Sequence, residues 1–112
     1  MNQTVAKTKP YSLYILLCDG KILYTGIAQD PEARLIQHQS KKPPGAKFTR
    51  RFKKLEIVYQ VEVGSRSEAQ SLEYYVKKLT RKNKKALIAS QTNLEVLLSK
   101  LNTRGTHAQK KV

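Results

Sequence analysis

The sequence has no tryptophan, two phenylalanines and a single cysteine. Cys18 alone excludes an intrachain disulfide and any zinc site built from several thiolates, which fits a reducing, cytoplasmic location. Apolar runs extend for only a few residues, far short of a membrane span. Met1 to Pro10 is polar and lacks the apolar centre of a signal peptide, so it reads as a flexible tail. Internal repeats, low-complexity tracts and a glycine-rich phosphate loop are all missing. Acidic residues are scarce as well: eight Asp/Glu stand against 22 Lys/Arg, a formal net charge of +14 on 112 residues.

That charge repels itself in a compact chain, and a polyanionic partner relieves the repulsion. Nucleic acid, DNA or RNA, is the commonest such partner. An anionic membrane surface would also attract the chain, but no hydrophobic anchor or strongly amphipathic helix supports that reading. With 39% apolar residues the chain can build one core, hence one domain.

Tyr11 to Cys18 is an apolar and aromatic run of strand length. Asp19-Gly20 accepts the positive φ angles of a type I′ turn, and Lys21 to Ile27 is the returning strand. Asp30-Pro31 starts a helix, with Asp as cap and Pro at the first helical position, that continues to about Gln39. Ser40 to Lys54 is a basic loop containing Pro43-Pro44-Gly45. Leu55 to Val63 alternates, which places Leu55, Ile57, Tyr59, Val61 and Val63 on one face of a third strand. Ser67 and Gln70 look like a capping box for a second helix with an Ala69, Leu72, Val76 and Leu79 stripe. Thr80 caps a short basic helix reaching Ile88, and Thr92-x-x-Glu95 opens a last helix through Leu101. The expected fold is therefore α/β (α+β), ordered β-β-α-β-α-α, with a three-stranded, mostly antiparallel sheet flanked by helices and an extra C-terminal helix. Residues 11–88 form the domain, preceded by the 1–10 tail and followed by the 89–112 helix and basic tail.

The hairpin carries Ser12-Leu13-Tyr14 on one strand and Tyr24-Thr25-Gly26 on the other. Arg34 and His38 follow four apart on the first helix, and Glu73 lies within the second. Gly45 to Arg50 completes the set. In order and spacing these residues resemble the GIY-YIG nuclease superfamily. The resemblance is to its small stand-alone bacterial members, the UPF0213 group, which are related to the catalytic domains of excision-repair and structure-specific endonucleases. Ser12-Leu13 replaces Gly-Ile in the first tripeptide, and Thr25 replaces Ile in the second. Asn83, Asn93 and Asn102 are all candidates for the late asparagine that many members carry, and that role is left unassigned.

The resemblance implies a DNA-processing endonuclease. A single Mg²⁺ or Mn²⁺ would be held by Glu73, since such an ion suits one carboxylate plus waters. Glu73 also sits at i,i+4 from Lys77, which permits a plain ion pair instead. Arg34 would grip the scissile phosphate with its paired donors. His38 would shuttle a proton or hydrogen-bond a tyrosine hydroxyl. Tyr14 would act as general base and Tyr24 would position water or phosphate. A phenol titrates near 10, so base work requires a strongly cationic pocket. Gly26 would let backbone approach the phosphate. Lys42, Lys47, Phe48, Thr49, Arg50, Arg51 and Lys77 belong to two basic stretches that would bind nucleic acid, where Phe48 would either pack the loop or stack on an unpaired base. A basic binding module of the same fold with little or no turnover is the alternative. Oligomeric state and protein partners are not readable.

Overall fold

The computed structural model describes residues 9–40 and 48–100. Strand β1 (Tyr11–Cys18) turns through Asp19 and Gly20, whose φ angles are 50° and 68°, into β2 (Ile22–Ala28). Two consecutive positive φ values match the twist of the paired strands, which is why an Asp-Gly pair stands there. Helix α1 (Pro31–Gln39) follows, with Asp30 accepting from the Ala33 amide as its cap. A short 3-10 turn (Phe48–Arg51) then leads to β3 (Leu55–Gly64), α2 (Arg66–Lys77) and α3 (Arg81–Ser90). Residues 94–100 form a last helix, α4.

The sheet order is β2-β1-β3, antiparallel throughout, so the most apolar strand lies at the centre. Its alternating side chains build two cores. Leu13 and Ile15 face Leu72, Val76, Leu87 and Leu97 of the three later helices. Tyr14, Leu16 and Cys18 face the other way, toward Leu35 of α1, Phe52 and Leu55. The helices therefore cover both faces of β1, which explains why that strand is apolar without alternation.

Three expectations are corrected. The alternation in β3 does not hold one face. Ile15 pairs with Tyr59 but Leu16 pairs with Ile57, so Val58 is an extra residue at a β-bulge. The bulge reverses the parity: Leu55 and Ile57 join the Tyr14 face, whereas Val58, Tyr59, Val61 and Val63 join the other. Helix α2 is capped by Ser65 with Glu68, a reciprocal capping box two residues before the expected one. Helix α4 is capped by Asn93, whose carboxamide oxygen accepts from the Val96 amide. Thr92 is instead buried, its carbonyl accepting from the Tyr59 hydroxyl. The expected tails at 1–10 and 102–112 fall mostly or wholly outside the described residues, as do Lys42 and Lys47. No helix among the described residues is long and apolar enough to cross a membrane.

Candidate active site

Tyr14 lies at the middle of β1 on the α1 side of the sheet, and Tyr24 lies on β2 on the same face. Tyr14 pairs across the hairpin with Gly26. A β-carbon at Gly26 would lie 2.5 Å from the Tyr14 hydroxyl and 2.7 Å from its ring carbon Cζ. The glycine therefore makes room for the Tyr14 ring. The phenol thus gives a structural reason for this glycine in addition to its expected role of letting backbone approach a phosphate.

The α1 spacing brings both expected residues to this face. Ile36, the apolar residue, points to water at 66% exposure, whereas His38 is wholly buried. His38 Nε2 is 3.1 Å from the Tyr14 hydroxyl, and Nδ1 is 2.9 Å from Thr49 Oγ1. The Tyr24 ring meets the imidazole edge-on, with centroids 5.4 Å apart. Thr49 has no exposed surface, which removes it from the nucleic-acid surface. Its role is to hold the histidine ring from behind. Nothing in the sequence pairs residues 38 and 49, because the connection crosses a loop. The Arg34 guanidinium donates to Gln37 Oε1 at 2.7 Å, an i,i+3 contact that fixes the head group beside the tyrosines. Gln37 is a positioning residue that the motif did not single out.

Burial sets the electrostatics. The Tyr14 phenol is pushed up to about 12, chiefly by desolvation and then by Tyr24, while the charge and hydrogen bond of Arg34 oppose the rise. Tyr24 is raised too, again by burial first, with Lys77 and Arg34 pulling down. His38 is lowered to about 4 by burial and by Arg34. The protein's own residues thus do not create the depressed phenol that base work requires. The imidazole is neutral at physiological pH and presents one N–H and one lone pair to two hydroxyls. With the phenol raised and the imidazole lowered, the proton between them stays on Tyr14.

Glu73 sits on α2 at the rim, its side chain 21% exposed, with Lys77 Nζ 3.2 Å from its carboxylate. Its charge reaches both tyrosines, so the carboxylate borders the same site. No cluster of three or more His, Cys, Asp or Glu occurs among the described residues. One carboxylate still fits a Mg²⁺-type ion, which keeps most of its waters. Arg50 is half-buried, and its Nε is a buried donor with no hydrogen-bond partner among the described residues. Arg51 is exposed and lies over the Phe52 ring at 5.3 Å. The Phe48 side chain lies outside the described residues.

Residues 10–86 match the family described as the GIY-YIG catalytic domain. The UPF0213 protein YhbQ of Shigella dysenteriae is 44% identical over 94 residues, covering 84% of this chain and 92% of the relative. A UPF0213 protein of Citrobacter koseri is 39% identical over the same length. The solution NMR structure of the UPF0213 protein BH0048 from Bacillus halodurans is 34% identical and covers 81% of this chain and 95% of that one, with a TM-score of 0.47.

Proposed function

Because the chain belongs to the GIY-YIG family, we propose that it is a divalent-metal-dependent nuclease that hydrolyses DNA phosphodiester bonds with little sequence preference. The observation that carries this reading is the convergence of Tyr14, Tyr24, Arg34 and His38 on one sheet face with Glu73 at its rim. Arg34, held by Gln37, would grip non-bridging phosphate oxygens. At neutral pH both phenols keep their protons and would donate hydrogen bonds to phosphate or to the attacking water. His38 and Thr49 keep the Tyr14 hydroxyl aimed. Glu73 would hold the metal ion, which supplies charge stabilisation and an acidified water when bound. Lys77 would have to release the carboxylate, and phosphate binding offers the lysine an alternative anion. Tyr14 becomes a base only if the arriving cation offsets its burial.

The Glu73–Lys77 pair and the raised Tyr14 phenol also suit a module that binds phosphate without cutting. One experiment separates the two. Purified protein with Mg²⁺ or Mn²⁺ is expected to nick single-stranded, duplex, flap or branched DNA. Glu73→Ala is expected to stop cleavage, keep DNA affinity and lose Mn²⁺ binding measured by electron paramagnetic resonance. Equal cleavage by both proteins would assign the activity to contamination. Retained Mn²⁺ binding in the variant would remove Glu73 as the ligand.

A further inference from the structure

On the sheet face opposite the tyrosines, a second concavity of about 280 Å³ opens between the hairpin and α3. Its floor is Leu17 and Leu23, cross-strand partners in the hairpin, together with Val58 and Ile88. All four are half-buried, so the helices leave this part of the apolar face unsealed. The β-bulge matters here. It turns Val58 onto the same face as Tyr59 and so adds an aliphatic wall that strict alternation would have withheld. Gln91 donates from its side chain to the Val58 carbonyl at 3.1 Å, tying the end of α3 to the bulge and fixing the width of the groove.

Arg81 and Lys85, one turn apart on α3, line the same groove and are exposed. No ion pair engages either of them among the described residues. No acidic residue lines the groove. Asp19 in the hairpin turn accepts from the Lys53 and Lys54 amides, and Glu56, opposite Leu17 on β3, pairs with Lys54. The result is an aliphatic slot whose two charged lining residues among the described ones, Arg81 and Lys85, are both cationic.

The chemistry of the slot discriminates between anionic partners. Nucleic acid bases stack on aromatic rings or guanidinium planes. Arg81 offers one such plane at the rim, but the floor of Leu17, Leu23, Val58 and Ile88 is aliphatic and calls for an apolar anchor. The volume, at the small end of ligand sites, has room for an anchoring side chain. An apolar anchor in a pocket with charged groups around it is how peptide segments engage protein surfaces. We propose that this groove docks an acidic protein segment that inserts one large apolar side chain between Leu23, Val58 and Ile88 and sets flanking carboxylates against Arg81 and Lys85. Such a contact would recruit the domain to its targets from the face away from the tyrosines. It does not depend on whether the domain cleaves DNA.

The test uses the full chain and a fluorescein-labelled poly-aspartate peptide with one central phenylalanine. The same peptide with alanine at the centre and a labelled oligothymidylate are the controls. Addition of the phenylalanine peptide to methyl-labelled protein is expected to shift the Leu23, Val58 and Ile88 resonances. Anisotropy is expected to show binding of the alanine peptide weakened on the order of tenfold, the scale of one buried aromatic side chain. Ala89→Gln, which extends a side chain into the groove, is expected to weaken the phenylalanine peptide and leave oligothymidylate affinity unchanged. Absence of methyl shifts in the wild-type protein overturns the proposal whether or not the variant folds. Equal binding of the two peptides also overturns it, by reducing the contact to charge alone. Loss of oligothymidylate binding in Ala89→Gln would reassign the groove to the nucleic-acid surface.

Discussion

Gly26 and Tyr14 occupy one space across the hairpin. A methyl group at position 26 would overlap a buried ring that His38 already holds by its hydroxyl. Gly26→Ala is therefore expected to destabilise by about 1–3 kcal/mol through overpacking, measured by urea denaturation. It should also displace Tyr14 and lower any nuclease activity further than the stability loss explains. Thr25, its neighbour, points the other way and buries a hydroxyl that has no hydrogen-bond partner among the described residues. Thr25→Val is expected to raise stability by roughly 1 kcal/mol by deleting that orphan group. An unchanged or lower urea midpoint would mean the hydroxyl is satisfied. His38 gives a pH signature. Its folded value of about 4 lies below the 6.5 of the unfolded chain. The unfolded state therefore binds more protons between these values. The contribution is complete above 6.5 and disappears as pH falls through 4, on the order of 3 kcal/mol for a residue this buried. His38→Asn should flatten urea stability across that acidic window. The alkaline side has the opposite logic: Tyr14 and Tyr59, both raised to about 12, lose their contribution as pH climbs from 10 through 12.

At the scale of elements, what the chain displays depends on whether the governing interaction is local. The β1–β2 hairpin and the start of α1 were legible because Asp19-Gly20 and Asp30-Pro31 act on their own backbone. The stripe on α2 was legible from helical spacing, but its cap was not. Ser65 and Ser67 both offer a hydroxyl, and only the end of β3 at Gly64 decides that the helix begins after Ser65. The bulge at Val58 was hidden because Leu55 to Val63 keeps an apolar residue at every second position on either side of it. Within the candidate site, the tyrosines, Arg34, His38 and Glu73 were singled out through the family resemblance, which rests on their order and spacing. Thr49 and Gln37 were not, because their roles exist only once the 3-10 turn and α1 are in place. Helix α3 shows a conflict that stability alone would not keep. Its first turn is basic and has no acid, which sets cations against the positive end of the helix dipole. Lys82→Glu is expected to stabilise the domain by roughly 0.5–1.5 kcal/mol and to weaken nucleic-acid binding. A gain in stability with unchanged affinity would show that this turn faces away from the nucleic acid.

For the whole molecule, the excess of positive charge is unevenly spent. Only two lysine–glutamate pairs are seen among the described residues, Lys54–Glu56 and Lys77–Glu73, and the first is too exposed to contribute much. Most of the remaining cations therefore confront one another and bulk solvent. A surface of that kind is expected to gain affinity for a polyanion by releasing its counterions, and salt measures how many phosphates are engaged. If roughly five phosphates are neutralised, the logarithm of affinity should fall with the logarithm of salt at a slope of about −4 to −5. Raising salt from about 50 to about 200 mM would then weaken binding a few hundred-fold. Arg34→Gln should lower that slope by about one, because it removes one phosphate contact, whereas Glu73→Ala should not lower it. Anisotropy titrations of labelled DNA across a salt series give both numbers. A flat response would separate the charge of this molecule from nucleic acid, and an unchanged slope in Arg34→Gln would move the phosphate away from the tyrosines. A slope near −4 to −5 that loses one unit only in the arginine variant would tie the basic surface and the buried tyrosine–histidine pair to a single bound strand.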